Sequence, residues 1–105
     1  PHAISKNNQI KFVEGMIVSN EPGYYEKNNF GIRIENLIYV KKIKKRNYFE
    51  NLTLAPLDKE LIDLKLLNRN EINWVNKYHN KVFKNIKNYF NKDEIADLRE
   101  ACSII

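Results

Sequence analysis

The order of apolar and polar positions divides the chain near its middle. In the first half, apolar residues come in short runs closed by turn formers. Met16, Ile17 and Val18 lead into Ser19-Asn20-Glu21 and the breaker pair Pro22-Gly23, which predicts a strand ending in a turn. A loop rich in Asn and Lys runs from Tyr24 to Gly31, and Ile32 to Val40 reads as one long strand of β-branched and aromatic residues. The two strands pair most economically as antiparallel neighbours. Alternation along the second strand places Arg33, Glu35, Leu37 and Tyr39 on one face and Ile32, Ile34, Asn36, Ile38 and Val40 on the other. Leu52-Thr53-Leu54-Ala55-Pro56 reads as a short edge strand or a turn because of its proline. The period then changes. Asn68 and Glu71 have the spacing of a capping box, and Ile72, Val75, His79, Val82, Phe83, Ile86, Tyr89 and Phe90 recur at three and four. Asp93 and Glu94 open a second, short helix through Ile95, Leu98 and Ala101. The pattern is α+β: antiparallel strands followed by a C-terminal helical hairpin.

Length narrows this picture, since 105 residues hold one compact domain or a fragment of a larger one. A hydrophobic fraction of 43% excludes a wholly disordered chain. The formal charge of +5 raises the question of a nucleic-acid partner. Much of the excess lies in the run Lys41-Lys42-Ile43-Lys44-Lys45-Arg46, which reads as a solvated loop or strand end, so no nucleic-acid partner is expected. If the run did bind nucleic acid, affinity would fall steeply with salt. The recurrence of Asn, Lys and Ile fits an AT-rich coding sequence. No run of about 18 apolar residues spans a bilayer, so no membrane partner is expected either. One cysteine, Cys102, forms no internal disulfide, and a reducing cytoplasm is the simplest home. The start Pro1-His2-Ala3 lacks an initiator Met, which points to processing or to a beginning inside a longer reading frame.

Candidate chemistry is sparse on residue pattern alone. Arg33 and Glu35 stand in an otherwise apolar strand, where a buried carboxylate is costly unless paired or bound to a cation. An ion pair, Arg33 with Glu35 or across strands, is the favoured reading, with a metal site left open. His79 lies on the apolar stripe with no carboxylate or second histidine one turn away, and reads as a packed, hydrogen-bonded histidine. Trp74, Tyr78 and Phe83 read as packing or interface residues.

Two segments carry more. Gly15-Met16-Ile17-Val18-Ser19-Asn20-Glu21-Pro22-Gly23-Tyr24-Tyr25 and Phe30-Gly31-Ile32-Arg33-Ile34-Glu35-Asn36 resemble the last two active-site motifs of the aminopeptidase P (Xaa-Pro aminopeptidase) family, M24 metallopeptidases with a creatinase-like pita-bread fold. Pro1 to Ser5 resembles the segment after the family's His-Glu-Gly-Pro motif. Leu52 to Pro56, and the stretch on through Trp74-Val75-Asn76-Lys77-Tyr78-His79, resemble the C-terminal extension of its longer members.

The resemblance implies that residues 1–56 are the C-terminal part of the pita-bread catalytic domain and residues 57–105 the helical extension. It implies that Glu21 ligates one metal ion beside the attacking water and acts in catalysis, and that Glu35 bridges two divalent ions. Hard oxygen ligands suit Mn²⁺. Arg33 matches the arginine of a supporting network with a tyrosine, here Tyr25, which orients ligands without touching metal. The implied reaction is removal of the N-terminal residue from Xaa-Pro peptides by metal-activated water. The family's two aspartate ligands, its histidine ligand and the motif histidine lie upstream of the matching segments, and His2 equates with none of them. Inactivity in isolation is therefore expected, with the missing N-terminal portion or a homodimer partner supplying what this chain lacks. The alternative is a non-enzymatic interaction or dimerisation module from a truncated gene, with Trp74, Tyr78 and Phe83 as anchors. Strands cut from such a core are expected to expose edges and apolar faces.

Overall fold

The computed structural model describes residue 4 and residues 8–105. The Pro1 to Ser5 resemblance and His2 thus fall outside the described residues, Ile4 excepted. The chain forms two compact units, Pro1–Thr53 and Leu54–Ile105.

The first unit contains five strands: β1 (Ile17–Asn20), β2 (Gly23–Tyr25), β3 (Gly31–Arg33), β4 (Asn36–Ile43) and β5 (Arg46–Asn51). They pair antiparallel as a three-stranded sheet in the order β1-β4-β5 and a two-stranded ribbon β2-β3. The long strand expected over Ile32 to Val40 is therefore two strands, interrupted at Ile34 and Glu35. Pro22 explains half of the interruption, because it has no N–H to donate to a ladder. Its carbonyl still accepts from the Ile34 N–H at 3.1 Å, so the chains stay side by side through the gap.

The register does not slip across this gap. Asn20 opposes Asn36 on one side and Gly23 opposes Arg33 on the other. Continuing either ladder by one or two steps sets Glu21 opposite Glu35. Two like charges in directly opposed positions destabilise a ladder, and this one is broken where they meet.

Alternation along β4 is as expected, with Asn36, Ile38 and Val40 buried and Leu37 exposed. Leu37 and Ile17 leave apolar surface on the other face of the sheet, as does Tyr39 in part. This exposure is the one anticipated for strands of a larger core. The basic run forms the end of β4, the turn Lys44-Lys45 and the start of β5, with Ile43 opposing Arg46.

The second unit holds α1 (Arg69–Ile86), α2 (Lys92–Ala101) and three short 3-10 turns at Lys59–Leu61, Leu64–Leu66 and Lys87–Tyr89. The capping box anticipated at Asn68 and Glu71 is formed in both directions: the Asn68 side chain accepts from the Asn70 and Glu71 N–H groups, and Glu71 accepts from the Asn68 N–H at 2.8 Å. Asn91 and Glu94 repeat it at α2. Along α1 the buried residues are Val75, Tyr78, His79 and Val82, one stripe at three- and four-residue spacing. The tail of that periodicity, Tyr89 and Phe90, lies beyond the helix and is exposed.

Residues 54–57 go with the helices for a specific reason. Tyr78 donates its hydroxyl to the Ala55 carbonyl at 2.8 Å, and the Leu57 N–H donates to His79 Nε2 at 3.1 Å. His79 is fully buried and packed as its sequence position implied. Because Nε2 must accept, the ring carries its proton on Nδ1. Lys59 closes the other end, donating to the Glu100 carbonyl at 2.6 Å and to the Ser103 hydroxyl, where the last carbonyls of α2 lack helical partners.

Asn68→Ala removes the acceptor for two N–H groups at the start of α1 and should cost about 1 kcal/mol of stability. A shift in the denaturant midpoint of the helical signal, with unchanged slope, measures it.

Candidate active-site face

The face that alternation defines across the broken ladder carries Ser19, Glu21, Gly23 and Tyr25 on one side and Gly31, Arg33, Glu35 and Leu37 on the other. Every sequence-predicted residue of the strand region stands on it. Arg33 is the diagonal neighbour of Glu21 and lies two positions from Glu35 on its own chain, so one guanidinium reaches both carboxylates. Its Nη1 donates to Glu21 Oε2 at 3.2 Å, and its Nε lies 3.7 Å from Glu35 Oε2, an ion pair without a hydrogen bond. The ion pair favoured from the strand pattern is present, and it is doubled.

Ser19 was not singled out by its sequence. It donates Oγ–H to Glu21 Oε1 at 3.0 Å. The signal that points to it is its i, i+2 relation to Glu21 on one strand face. Glu21 thus has each oxygen held by a different donor, whereas Glu35 Oε1 has no partner among the described residues. The three charged side chains are 43 to 50% exposed. Solvent screens such pairs, and they contribute at most about 1 kcal/mol to the fold. The arrangement holds two negative charges against one positive, a local surplus that favours a further cation.

Tyr25 makes no hydrogen bond to Arg33 among the described residues. Its ring instead lies across the two glycines of the ribbon: a Cβ at Gly31 would meet the ring at 2.6 Å and one at Gly23 would meet the hydroxyl at 2.8 Å. Glycine at both positions leaves room for the tyrosine ring to lie across the ribbon.

In kind, the donors fit divalent cations, since carboxylate oxygens are hard ligands. In number they are two, and no group of three His, Cys, Asp or Glu side chains is placed to hold a metal ion among the described residues. Glu21 and Glu35 can hold one side of a metal site and cannot close it.

In the helical unit, Trp74 is half exposed and stacks on Tyr78 with ring centroids 5.3 Å apart and planes 5° from parallel. Tyr78 is buried, and Phe83 is half-buried beneath the Arg99 guanidinium at 4.8 Å. Trp74 is therefore the ring of the three that solvent reaches most. Cys102 lines a recess with Asn76, Phe83 and Arg99, and burial pushes its thiol above the ordinary value of 9.0 despite Lys59 nearby. The raised value favours the neutral thiol in the folded chain, so its contribution is present below about pH 9 and is lost as pH rises through the folded value.

With this geometry in place, comparison with known proteins is direct. The chain belongs to the M24 metallopeptidases: residues 47–105 match the family described as the C-terminal region of peptidase M24, and residues 1–42 match metallopeptidase family M24. Among curated proteins it is similar to one named Probable Xaa-Pro aminopeptidase P from Tuber melanosporum, 46% identical over 96 residues that cover 84% of this chain and 16% of the relative. A protein of the same name from Coccidioides posadasii is 44% identical over 90 residues, covering 78% of this chain and 15% of the relative. Among solved structures it is similar to the X-prolyl aminopeptidase of Caenorhabditis elegans, described as a cytosolic enzyme with a di-nuclear active site. That match has a TM-score of 0.79 and 36% identity and covers 89% of this chain and 17% of the solved one. The chain thus spans about one sixth of the length of these relatives. Its fold is the C-terminal portion of the pita-bread architecture, antiparallel strands followed by helices. Among the described residues, no helix is long and apolar enough to cross a membrane.

The raised thiol value carries a test. At about pH 8, alkylation of Cys102 by iodoacetamide should run several-fold slower in the folded chain than in urea, because the neutral thiol reacts poorly. Equal rates would show that burial does not govern this thiol.

Proposed function

We propose that this chain supplies the Glu21 and Glu35 carboxylates to the dinuclear site of a Xaa-Pro aminopeptidase. The observation that carries the reading is the register across the broken ladder, which opposes two glutamates on one face beside a single arginine. An antiparallel ladder has no structural use for opposed like charges, and divalent cations between them turn that repulsion into binding.

In this reading Glu35 and Glu21 would hold the two ions, and the unpartnered Glu35 Oε1 leaves that carboxylate an open direction for one. Bound there, two divalent ions, Mn²⁺ by the hardness of the donors, supply Lewis acidity toward the peptide bond preceding proline and lower the proton affinity of water. Arg33 keeps the carboxylates from turning away when they are unliganded, Ser19 fixes the second oxygen of Glu21, and Tyr25 covers the glycine floor next to them. The remaining ligands come from the larger part of the relatives' length that these 105 residues do not span, so Xaa-Pro cleavage needs that part. The strand unit, Pro1–Thr53, acts as the end of the catalytic domain and the helical unit, Leu54–Ile105, as its extension. The cytosolic character of the nematode relative supports a cytoplasmic location.

A second role concerns the helical extension. The half-exposed Trp74, held flat on buried Tyr78, is a rigid aromatic platform of the kind found at subunit contacts, and it supports association with a second copy. Trp74→Ala should then shift the oligomeric state measured by light scattering, with the helical signal intact.

In the full-length polypeptide that carries these residues, Glu35→Gln should lower kcat/KM for an Xaa-Pro peptide by at least about 100-fold and reduce bound metal. Arg33→Met should change the unfolding free energy by less than about 1 kcal/mol while lowering activity about 10-fold or more. Full activity and metal content in Glu35→Gln would remove the proposed role.

A further inference from the structure

The proposed site leaves the basic hairpin unused. Lys41 is engaged there, with Nζ 3.3 Å from Glu50 Oε2, and this contact raises its ammonium above the ordinary value of 10.5. Lys42, Lys44, Lys45 and Arg46 are exposed and make no ion pair among the described residues. The register distributes them around the tip. Lys42 points to the face of Ile38 and Val40, Arg46 to the face of Tyr39 and Lys41, and Lys44 and Lys45 form the turn between. Behind the tip, Tyr48 and Phe49 are about half exposed on opposite faces.

The turn itself bears on whether this charge is incidental. Lys44 has φ +57, in the left-handed region where a side chain is strained and glycine or asparagine fits best. At the other such position among the described residues held by a residue with a side chain, φ +59, this chain uses Asn28. Asparagine is abundant in the sequence, and a coding bias that favours lysine favours asparagine equally. A lysine at the turn keeps positive charge where the backbone conformation favours a residue with a smaller steric cost. Strain of this kind argues for a use of the side chain.

We propose that the β4–β5 hairpin tip docks into a groove of a nucleic-acid duplex, held by phosphates on both of its sides. The run is the solvated strand end and turn that its sequence implied, and a duplex gives that exposed charge a partner. A two-stranded ribbon is narrow enough to enter a major groove, and cations on both faces then meet both phosphate rows. A planar anionic lipid surface would engage one face or the turn and leave the rest unmatched. The contacts are to backbone phosphate, so binding is indifferent to base sequence.

The test uses the full natural polypeptide containing these residues and a mixed-sequence DNA duplex of about 20 base pairs, followed by fluorescence anisotropy. Four phosphate contacts at about 0.9 each give a slope of log affinity against log salt near −3.6, or roughly 150-fold weaker binding at 200 than at 50 mM. Replacing Lys42, Lys45 and Arg46 by Gln together with Lys44→Asn should abolish binding. Lys44→Arg should retain it. Lys44→Asn alone should lower the slope by about 0.9 while raising thermal stability, because asparagine tolerates the turn conformation. That pairing separates lost charge from lost fold. No binding at low salt, a slope unchanged in Lys44→Asn, or binding to phosphatidylserine vesicles without binding to the duplex would each overturn the assignment.

Discussion

Two glutamates held opposite each other are the constraint around which the first unit is arranged. An antiparallel ladder that keeps register through Glu21 and Glu35 presses like charges together, and the chain responds by giving up the ladder there. Pro22 removes a donor, Ile34 keeps one bond across the gap, and strands resume on both sides with the register intact. Had the interruption added a residue on one side, the carboxylates would have moved to opposite faces. The unslipped gap combines local freedom for the carboxylates with a fixed relation between them. A binding site for cations needs both.

Arg33 shows how two opposed carboxylates can stand together with no cation between them. A single guanidinium serves both carboxylates, reducing a surplus of two negative charges to one. The pairs are exposed, so they add little to the stability of the fold. Their effect lies in geometry, since Ser19 and Arg33 direct the two oxygens of Glu21 while Glu35 retains an open one. The glycines at positions 23 and 31 extend the same logic, because any Cβ there would lift Tyr25 away from the strand floor.

Much of this was legible in the amino-acid order, for identifiable reasons. The capping box at Asn68 is a local pattern that local hydrogen bonds satisfy, and the alternation from Asn36 to Val40 follows from the strand period. The motifs around Glu21 and Glu35 pointed to the family because their resemblance is to a whole arrangement rather than to single residues. The break at Ile34 and Glu35 was not legible. Ile32 to Val40 favours a strand at almost every position, and the cause of the break, Pro22 together with the Glu21 carboxylate opposite Glu35, lies on the other chain segment. Ser19 escaped for a similar reason, its partner being set by face rather than by adjacency. The attachment of residues 54–57 to the helices also depends on distant groups, the Tyr78 hydroxyl and His79 Nε2, which sequence shows only as members of an apolar stripe.

The two units differ in how far they satisfy themselves, and the difference bears on the proposed division of labour. The helical unit places most of its buried polar groups and its helix ends against its own backbone, His79 Nε2 on Leu57, Tyr78 on Ala55 and Lys59 on the end of α2, with His79 Nδ1 left without a partner among the described residues. The strand unit leaves Ile17 and Leu37 in solvent on the very face that carries the carboxylates. An apolar border around a charged pair lowers the local dielectric only once it is covered, and a cation between Glu21 and Glu35 is bound more tightly under cover than in open water. The face therefore makes chemical sense in the proposed role, as one wall of a site.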